Sequence, residues 1–64
     1  MHYYYANKVA RSDGVNEVHK SDCKLLPEIS KREYLGYYSD YQDAILKAQT
    51  KFELVEGCKN CILD

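Results

Sequence analysis

Alternating apolar and polar positions near the N-terminus predict a β-hairpin. Residues 1–10 are rich in tyrosine and branched side chains, which recur at roughly the two-residue period of a strand. Residues 11–14 read Arg-Ser-Asp-Gly, a composition typical of a turn. Residues 15–19 alternate again and place Glu17 and His19 on one face, so we expect a second short strand that ends at His19.

A loop and a third strand are predicted next. Residues 20–32 lose the periodic pattern, and Pro27 lacks the backbone N–H that a regular strand pairing needs. Three apolar residues are expected to hold this loop on the core: Leu25, Leu26 and Ile29. Residues 33–38 then carry aromatic and apolar side chains around Gly36, which indicates a strand that bends at the glycine.

The strongest periodic pattern predicts one helix of about three turns. Its apolar residues recur at steps of four, three and four: Tyr41, Ile45, Ala48 and Phe52. Ser39 and Gln42 have the spacing of a capping box, so we expect Ser39 to cap the first turn. Residues 52–55 either end the helix or form a short strand. Together these patterns predict an α+β fold of about three antiparallel strands packed on one helix.

Length and charge narrow the class of protein. The 64 residues predict a single domain spanning residues 1–64, with a marginal core that needs additional stabilisation. An odd number of cysteines, and no apolar segment near Met1 that resembles a signal peptide, favour the cytoplasm. No apolar run approaches the ~20 residues of a membrane span. A net charge of -1 provides no general attraction for nucleic acid, which leaves only a local basic patch.

Two pairs of residues have the spacing of metal ligands. His19 and Cys23 are separated by three residues, and Cys58 and Cys61 by two, so that each pair can present its side chains from one loop. A tetrahedral Zn²⁺ ion accepts three thiolates and one imidazole, with no position left for water. The sequence therefore predicts a structural zinc site, and three adjacent cations favour the thiolate state: Lys20, Lys24 and Lys59.

Other interpretations of these residues stay open. Free cysteines are often buried as small apolar side chains, and the spacing of Cys58 and Cys61 also occurs in redox-active pairs. Such pairs use a helix that begins beside the cysteines, which the pattern after Cys61 does not predict. Glu17 is the one carboxylate placed to act as a base near His19, although exposed glutamates on strands are common.

The order of these motifs resembles the metal-binding domain of the Ada DNA-repair protein and related short zinc modules of bacterial proteins. The similarity rests on three segments between His19 and Cys61: residues 19–23, residues 38–40 with Ala44 and Ala48 on the helix, and residues 57–61. It implies a small α+β zinc module with ligands in two loops. In Ada the first ligand is a cysteine that accepts a methyl group from a DNA phosphotriester. His19 stands in that place here, so this transfer is not expected.

The tyrosines suggest how such a module binds a partner. Four are expected to build the core and the cross-strand packing: Tyr34, Tyr37, Tyr38 and Tyr41. Strand side chains alternate, so Tyr3, Tyr4 and Tyr5 cannot all point inward, and some aromatic surface is expected. Our leading hypothesis is a noncatalytic, zinc-stabilised module of a bacterial cytoplasm that binds a protein partner.

Two alternatives from other functional classes remain. One is a nucleic-acid-binding module with a local basic patch, formed by Lys20, Lys24, Lys31, Arg32 and Lys59. The other is an enzyme that uses zinc-bound water or a reactive thiol. The ligand types do not distinguish zinc from iron.

Overall fold

The computed structural model describes residues 1–62, which form a four-stranded sheet packed against one helix. In chain order the elements are β1 (His2–Asn7), β2 (Asn16–Lys20), a 3-10 turn (Ile29–Lys31), β3 (Arg32–Tyr38), α1 (Tyr41–Gln49) and β4 (Val55–Gly57). The strand order is β3-β1-β2-β4. The predicted α+β class is confirmed. Within these residues no helix has the length and apolar character needed to cross a membrane.

The number and direction of the strands differ from the prediction. The first three strands are antiparallel, as expected, but β4 is a fourth strand and pairs parallel to β2. It spans only Val55–Gly57, which is too short to show a two-residue period in the sequence. Parallel pairing is possible because α1 follows β3 in the chain and carries the chain from the β3 edge of the sheet to the opposite edge. There β4 pairs with β2.

The core lies between the sheet and α1. Its buried members come from the sheet, from α1 and from the segment after β4: Tyr4, Ala6, Val18, Leu35, Ala44, Ala48 and Ile62. Ala44 and Ala48 are fully buried, and their small side chains let the helix approach the sheet closely. Three members of the predicted stripe, Tyr41, Ile45 and Phe52, are only partly buried around this centre.

A bulge in β3 shapes the edge of the sheet. Tyr4 pairs with Gly36 and Tyr5 with Tyr34, so Leu35 is an extra residue without an opposite partner on β1. Gly36 has a φ of 137°, a backbone conformation that glycine adopts readily and other residues avoid. The predicted bend at Gly36 is thus confirmed, and it directs Leu35 into the core, where it is buried.

The helix begins one residue later than the capping pattern predicted. Asp40 is the N-cap, and its side chain accepts hydrogen bonds from the N–H groups of Gln42 and Asp43. The prediction of Ser39 as the cap was therefore wrong. Both residue types cap helices well, so the local sequence did not distinguish them.

The loop after β2 also packs differently from the prediction. Leu25 and Ile29 are exposed by 59% and 77%, so they do not hold the loop on the core, and Leu26 is only half-buried. The buried residue of this loop is Cys23. The loop is therefore attached through Cys23 and backbone hydrogen bonds, and the expected role of the two exposed residues was wrong.

Candidate metal centre

The structure brings together the four residues that the sequence selected as metal ligands. The candidate ligand atoms of His19, Cys23, Cys58 and Cys61 all lie within 4.8 Å of one another. Three of these side chains are buried, and Cys61 is half-buried. One histidine and three cysteines arranged in this way can form a metal site.

Two separations within the cluster are close to the edges of a zinc tetrahedron. Nδ1 of His19 lies 3.5 Å from Sγ of Cys23, and Sγ of Cys23 lies 3.9 Å from Sγ of Cys58. A zinc tetrahedron with bonds of about 2.0 Å to nitrogen and 2.3 Å to sulfur has N–S edges of about 3.5 Å and S–S edges of about 3.8 Å. A disulfide would bring two sulfurs to about 2.05 Å. The three cysteines are free, and their separations leave room for an ion.

The first ligand pair is positioned by β2 and by the turn that follows it. His19 is paired with Tyr5 of β1, which fixes its place near the end of β2. Ser21 then donates its N–H to the carbonyl of Tyr3 (2.9 Å), and Cys23 donates its N–H to the carbonyl of Lys20 (3.0 Å). These bonds reverse the direction of the chain and bring Sγ of Cys23 close to the ring of His19.

The second pair is attached to the same strand. Cys58 donates its N–H to the carbonyl of Val18 (2.8 Å), which extends the alignment of β4 along β2. Ile62 donates to the carbonyl of Cys58 (2.8 Å) and closes a turn that contains Cys61. A Cβ on Gly57 would lie 3.0 Å from Cγ2 of Ile62, so the glycine leaves space for Ile62 to enter the core.

Backbone N–H groups point at two of the sulfurs. Leu25 donates its N–H to Sγ of Cys23 (3.4 Å), and Lys20 donates its N–H to Sγ of Cys61 (3.3 Å). Hydrogen bonds to a thiolate stabilise its negative charge and orient it as a ligand. The sequence held no signal for these donors because they belong to the backbone.

The protonation of the cluster without a cation follows from burial. Burial raises the pKa of the Cys61 thiol to about 12, and a hydrogen bond with Cys23 acts in the same direction. Burial lowers the pKa of His19, although the charge of Glu17 opposes this shift. The lowered pKa of His19 favours the neutral imidazole, which is its ligand form. A bound cation stabilises thiolates, so binding a metal here releases protons.

An ion-pair network lies beside His19. Nη1 of Arg11 donates to Oε2 of Glu17 (2.8 Å), and Arg11 also contacts Asp13 (2.8 Å) and Glu56 (3.2 Å). The other carboxylate oxygen of Glu17, Oε1, lies 3.8 Å from Nε2 of His19. The sequence indicated that Glu17 and His19 share a face, and the structure confirms it. It did not indicate Arg11, which lies in the predicted turn.

The cations of the predicted basic patch fall into separate groups. Arg32, at the start of β3, lies opposite Asn7, whereas Lys20 on β2 lies opposite Tyr4. Three residues along β1 correspond to about 10 Å, and the two cations lie on strands at opposite sides of β1. Lys20 and Lys24 line a groove beside the cysteines. The five cations therefore do not form one continuous patch.

The outer face of the sheet carries tyrosines, which we call the tyrosine face: Tyr3, Tyr5, Tyr34 and Tyr37. Tyr3, Tyr34 and Tyr37 are exposed by 50%, 51% and 49%, so the expected aromatic surface is confirmed. The rings of Tyr3 and Tyr37 lie 4.6 Å apart, and the guanidinium of Arg32 lies 4.8 Å from the Tyr5 ring. Tyr34 and Tyr37 thus make the predicted cross-strand contacts. The prediction that they also belong to the core was wrong, because both are exposed.

Comparison with known proteins adds no family to this description. No family model matches the chain, and the searches of curated proteins and of solved structures found no match. The similarity to the Ada metal-binding domain therefore stays a prediction from the order of motifs. The cluster of one histidine and three cysteines is a property of the structure itself.

Proposed function

We propose that this chain is a noncatalytic binding module whose fold is stabilised by one Zn²⁺ ion. His19, Cys23, Cys58 and Cys61 are the proposed ligands. The observation that carries this proposal is the convergence of their ligand atoms to within 4.8 Å in a largely buried cluster. Zinc favours nitrogen and sulfur ligands in a tetrahedron. Four protein ligands leave no position for a reactive water, which supports a structural role.

The size of the core explains why an ion is useful here. A chain of 64 residues buries a smaller share of its surface than a larger domain, so its apolar core contributes little beyond the entropy cost of folding. An ion bound to both ligand pairs would join the loop after β2 to the loop after β4. It would thereby hold together the two ends of a long segment in the folded chain.

Native mass spectrometry of the reduced protein tests the metal. We expect one zinc ion per chain after purification, and its loss on chelation together with a shift to the higher charge states of an unfolded chain. Elemental analysis of the same sample distinguishes zinc from iron. A protein that stays compact and metal-free when Zn²⁺ is supplied would contradict the proposal.

The binding role is assigned to the tyrosine face and a protein partner. Tyrosine and arginine are enriched at the centres of protein interfaces, where rigid rings bury a large area at a low entropic cost. Arg32, stacked on Tyr5, offers a charge for a carboxylate of the partner. The net charge of -1 and the separated cations favour a protein over a nucleic acid. Three free thiols suit a reducing compartment, so we place the protein in a bacterial cytoplasm.

Site-directed crosslinking tests this assignment. A photoreactive phenylalanine analogue at position 37 is expected to capture one protein in the native cells, whereas the same residue at exposed Leu46 on α1 is not. The purified partner should then lose affinity for Arg32→Ala and Tyr37→Ser. Tight, salt-sensitive binding to short single-stranded DNA or RNA, lost in the same two variants, would instead establish the nucleic-acid alternative.

A further inference from the structure

The two ring nitrogens of His19 face different surroundings. Nδ1 points to the cysteines and lies 3.5 Å from Sγ of Cys23. Nε2 lies on the other side of the ring, is buried, and has no hydrogen-bond partner among residues 1–62. The whole residue is only 1% exposed, so water does not readily reach this nitrogen. A buried polar atom of this kind calls for a specific explanation.

The carboxylate of Glu17 lies close to this nitrogen. Its Oε1 lies 3.8 Å from Nε2, slightly too far for a hydrogen bond. Its other oxygen, Oε2, accepts a hydrogen bond of 2.8 Å from Nη1 of Arg11. Arg11 itself donates two hydrogen bonds to the carboxylate of Asp13, at 3.1 and 2.8 Å. One carboxylate oxygen is therefore fixed by Arg11, and the other is directed at His19.

We propose that Glu17 is a positioning residue of the metal centre. When an ion binds Nδ1, the ring carries its proton on Nε2, and Nε2–H donates to Oε1 of Glu17. This requires the 3.8 Å separation to shorten by less than about 1 Å, to the length of an ordinary hydrogen bond. The inference rests on the proposed function, because it requires a metal at the cluster.

The hydrogen bond would act on the metal centre in two ways. It selects the tautomer whose Nδ1 lone pair is free to coordinate, and it holds the ring in the plane that points at the cysteines. A carboxylate acceptor also makes the imidazole a stronger electron donor. Arg11 balances the charge of Glu17, so the turn of residues 11–14 becomes part of the support for a ligand on β2.

Zinc affinity measured by competition with a chelator tests the proposal. Glu17→Ala is expected to weaken zinc binding by about 10- to 100-fold, the range found when outer hydrogen-bond partners of metal ligands are removed. Glu17→Gln keeps a neutral acceptor and should retain part of the affinity. Glu56→Ala is the matched control. Glu56 also forms an ion pair with Arg11, but it is exposed and lies on β4, opposite Glu17. Equal affinities for Glu17→Ala and Glu56→Ala would overturn the inference.

A second measurement needs no variant. Long-range ¹H–¹⁵N NMR of the zinc-loaded protein should show Nδ1 of His19 bound to the metal and Nε2 protonated. Coordination through Nε2 would refute the role of Glu17 while leaving the zinc site intact. If the unaltered protein binds no zinc at all, the proposed function itself fails. The two failures are therefore distinguishable.

Discussion

The backbone N–H of Lys20 donates a hydrogen bond to Sγ of Cys61, which lies 41 residues later in the chain, at 3.3 Å. This bond connects the end of β2 directly to the loop after β4. It places the last of the four candidate ligands against the strand that carries His19. The two ligand pairs thus share one structural support, and the loss of either pair should affect the stability of both loops.

Removal of one ligand is expected to destabilise the whole domain. Cys61→Ser should lower the free energy of unfolding of the zinc-loaded protein by at least about 3 kcal/mol at neutral pH, because metal binding and folding are coupled in small metal domains. Denaturant titration at a fixed zinc concentration measures the change. Asn60→Ser, in the same loop, is the control and should change stability by less than about 0.5 kcal/mol.

Replacement of zinc by Co²⁺ should report the geometry of the cluster. One imidazole and three thiolates favour a tetrahedral site, and tetrahedral Co²⁺ with thiolate ligands absorbs visible and near-ultraviolet light strongly. We expect these bands on adding one equivalent of Co²⁺, and their loss when zinc displaces the cobalt. Weak absorption typical of six-coordinate Co²⁺ would show that the four side chains do not bind the ion together.

The N-cap of α1 offers a test of how the helix begins. Asp40→Ala removes the side chain that accepts from Gln42 and Asp43, and it should destabilise the protein by about 0.5–2 kcal/mol. Ser39→Ala leaves both hydrogen bonds intact and should cost less than about 0.5 kcal/mol. Chemical denaturation of the two variants side by side gives the comparison. A larger loss for the Ser39 variant would restore the capping box that the sequence suggested.

The bulge at Gly36 should tolerate no side chain. Gly36→Ala forces a positive φ of 137° on alanine and brings its Cβ to 2.6 Å from the hydroxyl of Tyr38, so we expect a loss of about 2–4 kcal/mol. Gly14→Ala shares the positive φ, but its Cβ would meet its nearest neighbour, Leu54, at 3.8 Å. It should therefore cost less, about 1–2 kcal/mol. Thermal unfolding followed by circular dichroism checks both values, and equal losses would mean that the contact with Tyr38 is unimportant.

Much of the local structure was predictable because it depends on neighbouring residues. The two-residue period before Asn7 and the bend at Gly36 each follow from a short stretch of sequence, and the structure confirms both. The spacing of His19 from Cys23 and of Cys58 from Cys61 is also local. Since chelating side chains need short separations in the chain, the two ligand pairs could be recognised before any fold was known.

The relations between distant segments were not predictable in the same way. The parallel pairing of β4 with β2, the exposure of Leu25, and the ion pair of Arg11 with Glu17 all depend on contacts between residues far apart in the chain or on opposite sides of a turn. No short pattern encodes such contacts, because many alternative pairings satisfy the same local preferences. The order of residues was therefore enough to name the candidate ligands. Their shared support, the contact of Arg11 with Glu17 and the exposure of Tyr34 and Tyr37 were decided by packing. Burial of Tyr4, Val18 and Ala48 selects one arrangement of the sheet and the helix.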